Sequence, residues 1–169
     1  IEVSSDAAAV ELLLNGSSLG KKPVRECKAM FKTRYASGTL TAIAYNDGRE
    51  VARHQIETAG KAVRLVIEPE QMANGMSLQY LNVYAVDKQG HRVPSFDEPL
   101  TVTLEGTGAT LLALDNGDHY TDELFHGVTT KRMHLGYMQV ILRSTRQPGK
   151  IKVKASTPSV KASQTLTFP

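Results

Sequence analysis

The chain has no tryptophan and a single cysteine, Cys27. One cysteine excludes an intrachain disulfide. Its place in "RECKAMFK", on the same alternating face as Ala29 and Phe31, predicts a buried, inert thiol. Without tryptophan, the flattest platform for stacking on a sugar ring is missing. Tyr80 and Tyr84, four apart in "SLQYLNVYAVD", are then the aromatic pair that would share a strand face. No apolar run approaches the roughly 18 residues of a membrane-spanning helix, so no membrane insertion is expected. Charge is also unfocused. The net charge is +3 over 169 residues, with eight Lys/Arg against seven Asp/Glu in residues 1–59 and twelve against ten in residues 60–169. Nucleic acid binding needs a concentrated basic face, so no nucleic acid partner is expected. The most basic stretch, residues 143–161, has six Lys/Arg and no acid. Within it "KIKVKA" alternates lysine with apolar residues, which predicts the wet side of an exposed strand where lysines deter edge pairing.

Catalytic signatures are missing as well. There is no G-x-S-x-G elbow, no phosphate-binding loop with its lysine and no H-E-x-x-H pair. The five histidines are scattered, and no cysteine is placed to complete a zinc site. No cofactor, metal ion or catalytic residue is therefore expected.

What remains is a period-two pattern punctuated by turns. "IEVSS" and "VELLLN" lead into Asn15-Gly16, and "GTLTAIAY" and "REVARHQIE" flank Asn46-Asp47-Gly48. Asn-Gly and Asp-Gly supply the positive φ angles that tight hairpins require. Residues 6–14 have some helical periodicity but are too few for a stable helix. After Thr58-Ala59-Gly60 a second series opens with "AVRLVIEP" and runs through "SLQYLNVYAVD", "LTVTLEG", "TLLALDNG", "YMQVILRS", "KIKVKAS" and "SQTLTFP". Turn residues recur at the 8–12-residue spacing of a sandwich. The expected fold is all-β, two consecutive immunoglobulin-like β-sandwich domains over residues 1–59 and 60–169. Four or five strands are expected in the first and seven or eight in the second.

The window "LDNGDHYTDELFHG" concentrates polar chemistry: Asp115, Asn116, Asp118, His119, Asp122, Glu123 and His126. It does not keep the ligand spacing of a calcium loop. Paired carboxylates could hydrolyse a glycoside only across a fixed gap, which a sequence does not display. The plain reading is a strand-ending turn in which Asp and Asn side chains bond nearby amides. Asp115, Asn116, Asp118 and His119 are the candidates for substrate contact.

Several of these stretches occur together in a recognisable order. "VELLLNGSSLGKKPV" followed by "YASGTLTAIAYNDGREVARHQIETAGKAVRLVIEP" resembles the C-terminal region of family 2 glycoside hydrolases of the bacterial β-galactosidase type. The likeness is carried by Val10, Glu11, Leu12, Leu14, Asn15, Gly16, Ser18, Leu19 and Gly20, then by Gly38, Thr39, Leu40, Ala42, Tyr45, Gly48 and Val51. Later marks are "VYAVDKQGHRVP", "LEGTGATLLALDNGD", "LFHG" and "ILRSTRQPGKIKVKAS". Leu13 departs from a usual Phe, and "KRMHLGYMQV" keeps only Arg132 and Gly136 of the family's pattern there.

The resemblance implies a parent enzyme whose upstream TIM barrel carries both catalytic glutamates, one of them after an Asn. No Asn-Glu dipeptide occurs here, so no catalytic residue carries over. It further implies a chain that is a C-terminal piece of something longer. Its partners would be that barrel and an oligosaccharide, and its parent would be periplasmic or extracellular. A carbohydrate-binding module and an adhesin-type spacer of immunoglobulin-like domains are the alternative readings.

Overall fold

A computed structural model describes residues 1–70 and 77–168. Every regular element among them is a strand, and every strand pair is antiparallel. The chain divides into two compact units, Ile1–Thr58 and Ala59–Pro169.

The first unit holds β1 (Glu2–Ser4), β2 (Ala9–Leu14), β3 (Ser17–Pro23), β4 (Lys28–Met30), β5 (Thr39–Asn46) and β6 (Arg49–Glu57). A four-stranded sheet runs β3-β2-β5-β6, and β1 pairs with β4 in a second sheet. Alternation places Val10 and Leu12 inward, where each is 1% exposed, and they meet Ala29 and Phe31. Leu13 and Leu14 are both half-buried.

The "VELLLNG" motif has a physical account. Asn15 and Gly16 take φ angles of 52° and 80° and turn β2 into β3. The Asn15 side chain then accepts from the Thr39 amide at 2.8 Å and donates to the Ser37 carbonyl at 3.0 Å. This latch needs a glycine at 38, because a Cβ there would overlap the Asn15 carboxamide. Glu11 ties three strands together, accepting from the Ser18 hydroxyl at 2.6 Å and the Tyr45 hydroxyl at 3.0 Å. The Ser18 bond, then the Tyr45 bond, hold its carboxyl below the ordinary range.

Cys27 departs from the expectation of burial. It is exposed, because Glu26 and Cys27 form a two-residue turn, with φ of 50° and 60°, closed by reciprocal bonds between Arg25 and Lys28. Alternation holds for Ala29 and Phe31 but stops at a turn, where side chains leave the pleat.

The second unit holds β7 (Arg64–Pro69), β8 (Leu78–Val86), β9 (Pro99–Gly106), β10 (Ala109–Asp115), β11 (Thr130–Arg132), β12 (Tyr137–Ser144), β13 (Gly149–Ser156) and β14 (Lys161–Phe168). One sheet runs β10-β12-β8-β7 and the other β11-β9-β13-β14. This is the strand order of a constant-type immunoglobulin sandwich, with β11 added beside β9. Its core takes inward residues from both sheets, including Leu81, Val83, Val140, Leu142, Val102 and Val153. The lysines of "KIKVKA" point outward, but β13 lies between β9 and β14. The strand is interior, so these lysines do not guard a free edge.

The turn after β8 is organised by Asp87, which is 2% exposed. Its carboxylate accepts from the amides of Gly60 at 2.8 Å, Gln89 at 3.0 Å and His91 at 2.9 Å. The Gly60 bond is the leading reason that its pKa lies below the usual value. A carboxyl with a depressed folded pKa contributes stability above its unfolded pKa of about 3.9, and that contribution is lost as pH falls through the folded value. The acid limb of the stability–pH curve is therefore expected to flatten in Asp87→Asn, by up to about one proton's slope below pH ~4. Urea unfolding between pH 2 and 6 measures it. An unchanged slope would mean that Asp87 is not protonated during acid unfolding.

Candidate functional site

The polar window after β10 becomes a loop, residues 116–129, built from consecutive side-chain-capped turns. Asp115 accepts from the Gly117 amide at 2.8 Å, Asn116 from Asp118 at 3.1 Å and Asp118 from Tyr120 at 2.9 Å. Thr121 does the same for Glu123 at 3.2 Å. Short polar side chains that satisfy the amide two residues on give a loop a defined path without a helix.

Asn116 is the pivot. It is 4% exposed, and its amide group donates to the Arg132 carbonyl at 2.9 Å, joining the loop to β11. Lys131 pins the loop from below. Its side chain is fully buried, and its ammonium donates to the Glu123 carbonyl at 3.0 Å while lying 4.1 Å from the centre of the Phe125 ring.

The loop forms one wall of an open cavity of about 590 Å³. A second wall is residues 94–97. The third comes from residues 132–135, which end in a tight turn at Leu135 and Gly136 with φ of 50° and 69°. Four carboxylates line the space, those of Asp97, Asp118, Asp122 and Glu123, against one guanidinium from Arg132. Arg132 is engaged with Asp97, donating to its carbonyl at 2.8 Å and standing 3.6 Å from its carboxylate. His134 stands 3.9 Å from Asp118. Tyr120 projects from the loop at 98% exposure without lining the cavity, and Leu135 lines it.

Of the four sequence candidates, Asn116 and Asp118 line this cavity. Asp115 ends β10 outside it, and His119 is exposed on the loop without lining it. Arg132, His134 and Asp97 were not candidates, since they come from segments distant in sequence. Nor was Tyr120, although it lies in the same window. Tyr80 and Tyr84 do share the outer face of β8. Tyr84, however, is 7% exposed, with the Arg92 guanidinium 4.0 Å from its ring centre. Burial, then a bond to Glu68, raises its hydroxyl pKa. Covered in this way, Tyr84 offers no open ring face to a sugar. Among the described residues, no three His, Cys, Asp or Glu side chains are arranged to hold a metal ion. No helix there is long and apolar enough to cross a membrane.

The strand order and the loop-built cavity define a β-sandwich module, with its polar chemistry on inter-strand loops. Residues 64–166 match the profile of glycoside hydrolase family 2 C-terminal domain 5, and the chain belongs to that family. Residues 1–52 match a domain of unknown function, DUF4982. The β-galactosidase BoGH2A of Bacteroides ovatus is 29% identical over 158 residues, which cover 90% of this chain and 18% of that protein. A β-galactosidase of Thermoanaerobacter pseudethanolicus is 29% identical over 138 residues, covering 79% of this chain and 17% of that protein. A crystal structure of a family 2 glycosyl hydrolase from Bacteroides cellulosilyticus superposes with a TM-score of 0.92 at 30% identity, over 99% of this chain and 22% of that one. The chain thus spans about a fifth of the length of the relatives it matches.

Proposed function

We propose that this chain is the non-catalytic C-terminal part of a bacterial β-galactosidase-type hydrolase acting in carbohydrate metabolism, and that its immunoglobulin-like modules support an upstream catalytic barrel. The observation that carries this reading is the coverage. Alignments over 90% and 79% of the chain take up 18% and 17% of two β-galactosidases. The cavity is consistent with it. Two of its carboxylates are already engaged within the fold, Asp118 with the Tyr120 amide and Asp97 with the Arg132 guanidinium. The test is turnover of a chromogenic galactoside. The 169-residue chain is expected to show none, while the longer protein that contains it hydrolyses the substrate. Enzyme-like turnover by the 169-residue chain alone would overturn the reading.

A second reading is favoured by Tyr120. An almost fully exposed ring beside a polar cavity has the two parts of a sugar subsite: a stacking face and hydrogen-bonding groups. In this reading the loop from Asp115 to His119 and Tyr120 contacts an oligosaccharide in the intact enzyme. Calorimetric titration of the longer protein, made inactive in its barrel, with galacto-oligosaccharides is the measurement. Tyr120→Ala is expected to weaken binding about tenfold, the range of one stacked ring. Equal affinity for both forms would remove the loop from substrate contact.

A further inference from the structure

The first unit has a core too small for its length. Six hydrophobic residues are buried in it, and only four of them, Val10, Leu12, Ala29 and Phe31, pack into one cluster, with partly buried neighbours around them. A unit of fewer than 60 residues leans on a neighbour for its stability. The uncovered surface is local. One cavity of about 250 Å³ lies among Ile1, Leu14, Tyr35, Leu40 and Ile56, and a second of about 290 Å³ shares Ile1, Leu40 and Ile56 with it. The shared residues make one apolar groove along β5 and β6. Ile56 is 56% exposed, Tyr35 83% and Ile1 44%, and every residue of β6 is exposed. The apolar surface is modest in area, but it is gathered in one groove rather than scattered singly over the surface. Arg34, Glu57 and His54 line it as well, so apolar and polar groups meet in it as they do in a protein interface.

We propose that this groove is the docking surface for the part of a longer hydrolase chain that precedes Ile1, which inserts apolar side chains between Tyr35, Leu40 and Ile56. The inference rests on the reading that the chain is one part of a longer enzyme, and it names where the rest attaches. Two observations choose this occupant. The relatives are about five times longer than the matched region. Ile1 lines both cavities, and its nitrogen donates to the Phe31 carbonyl at 2.7 Å. In a longer chain the residue bonded to that nitrogen stands at the mouth of the groove. A partner tethered at that point binds as an intramolecular ligand, so a modest apolar patch is enough to hold it.

Hydrogen exchange compares the 169-residue chain with the longer protein. Amides of β5, β6 and residues 33–38 are expected to exchange at least about tenfold more slowly in the longer protein. Ile56→Asp is expected to abolish that protection there while leaving the melting midpoint of the 169-residue chain unchanged, since the side chain is exposed in it. Equal exchange in the two proteins would overturn the proposal. So would an equal loss of stability from Ile56→Asp in both, which would assign the groove to packing within the 169 residues. Dimerisation of the 169-residue chain in sedimentation, lost in Ile56→Asp, would assign it to a second copy. Galactoside turnover by the longer protein is scored separately: protection without turnover would sink the hydrolase reading and leave the docking surface standing.

Discussion

Lys131→Ala is expected to destabilise the second unit by about 3 kcal/mol and to release the loop over residues 119–127. Two contributions set the size. Removing a fully buried long side chain leaves a cavity, and comparable truncations to alanine cost about 2–5 kcal/mol. The ammonium also donates to the Glu123 carbonyl and reaches that of Leu124, and a hydrogen bond from a charged donor contributes about 1.5–3 kcal/mol. The two overlap, because a relaxing loop lets water reach the carbonyls. Lys131→Met separates them. It keeps most of the hydrocarbon and loses the charge, so it is expected to cost about half as much. Urea unfolding measures stability, and limited proteolysis within the 119–127 segment reads the loop. A cost below about 1 kcal/mol for Lys131→Ala, or a loop no more easily cleaved, would show that the loop holds its shape through its capped turns alone.

Gly136→Ala is the second large effect, expected at about 2–4 kcal/mol, from backbone strain of about 1–3 kcal/mol for a side chain held at positive φ plus a steric clash. The clash is with backbone. A Cβ at 136 would overlap the Val93 carbonyl oxygen, and main chain cannot swing aside as a side-chain tip does. The surroundings leave no slack. Gly136 donates to the Phe96 carbonyl at 2.9 Å and accepts from the Ala85 amide at 3.0 Å, while His134 and Tyr137 close the turn with reciprocal bonds. These contacts set residues 93–96 against the turn that carries Leu135, so two walls of the cavity move together. Thermal unfolding and cavity-binding measurements are expected to change together in Gly136→Ala. By contrast Leu135→Ala, at an exposed position of the same turn, is expected to leave stability within about 0.5 kcal/mol. A Gly136→Ala variant as stable as the parent would mean that the turn has another conformation of equal energy.

Much of the fold was legible because strands announce themselves through alternation. Leu81 with Val83, and Ile151 with Val153, are spaced two apart and buried together, while Lys152 between the latter pair points out. Asn15-Gly16 and Asp47-Gly48 turn where their chemistry says they must, since few other residues take positive φ without cost. Alternation misled at Cys27, where the period was carried one step past the end of a strand into a turn. It was silent on whether "KIKVKA" lay at an edge, because an outward lysine looks the same on a central strand as on an outer one.

The candidate site was only partly legible, for a different reason. Asp115, Asn116 and Asp118 are adjacent in the chain, and their turn-forming chemistry is local, so it could be read directly. The cavity is not local. It is assembled from residues 94–97, 116–123 and 132–135, and nothing in a one-dimensional pattern reports that Asp97 will face Arg132. Lys131 shows the same limit. A lysine between Thr130 and Arg132 reads as solvent-facing, yet pairing with Leu100 on β9 and the loop folded above it bury the residue completely.

The amino-acid sequence by itself determined the all-β class, the positions of the tight turns, the inward and outward faces of the long strands and the resemblance to family 2 hydrolases, because each depends on interactions within a few residues or on the order of motifs. Only the tertiary structure decided which strands are neighbours, that Lys131 is buried and Cys27 exposed, which acids share a cavity with Arg132, and that an apolar groove stays open beside Ile1. Those are contacts between distant segments, and burial belongs to the packed chain as a whole rather than to any residue in it.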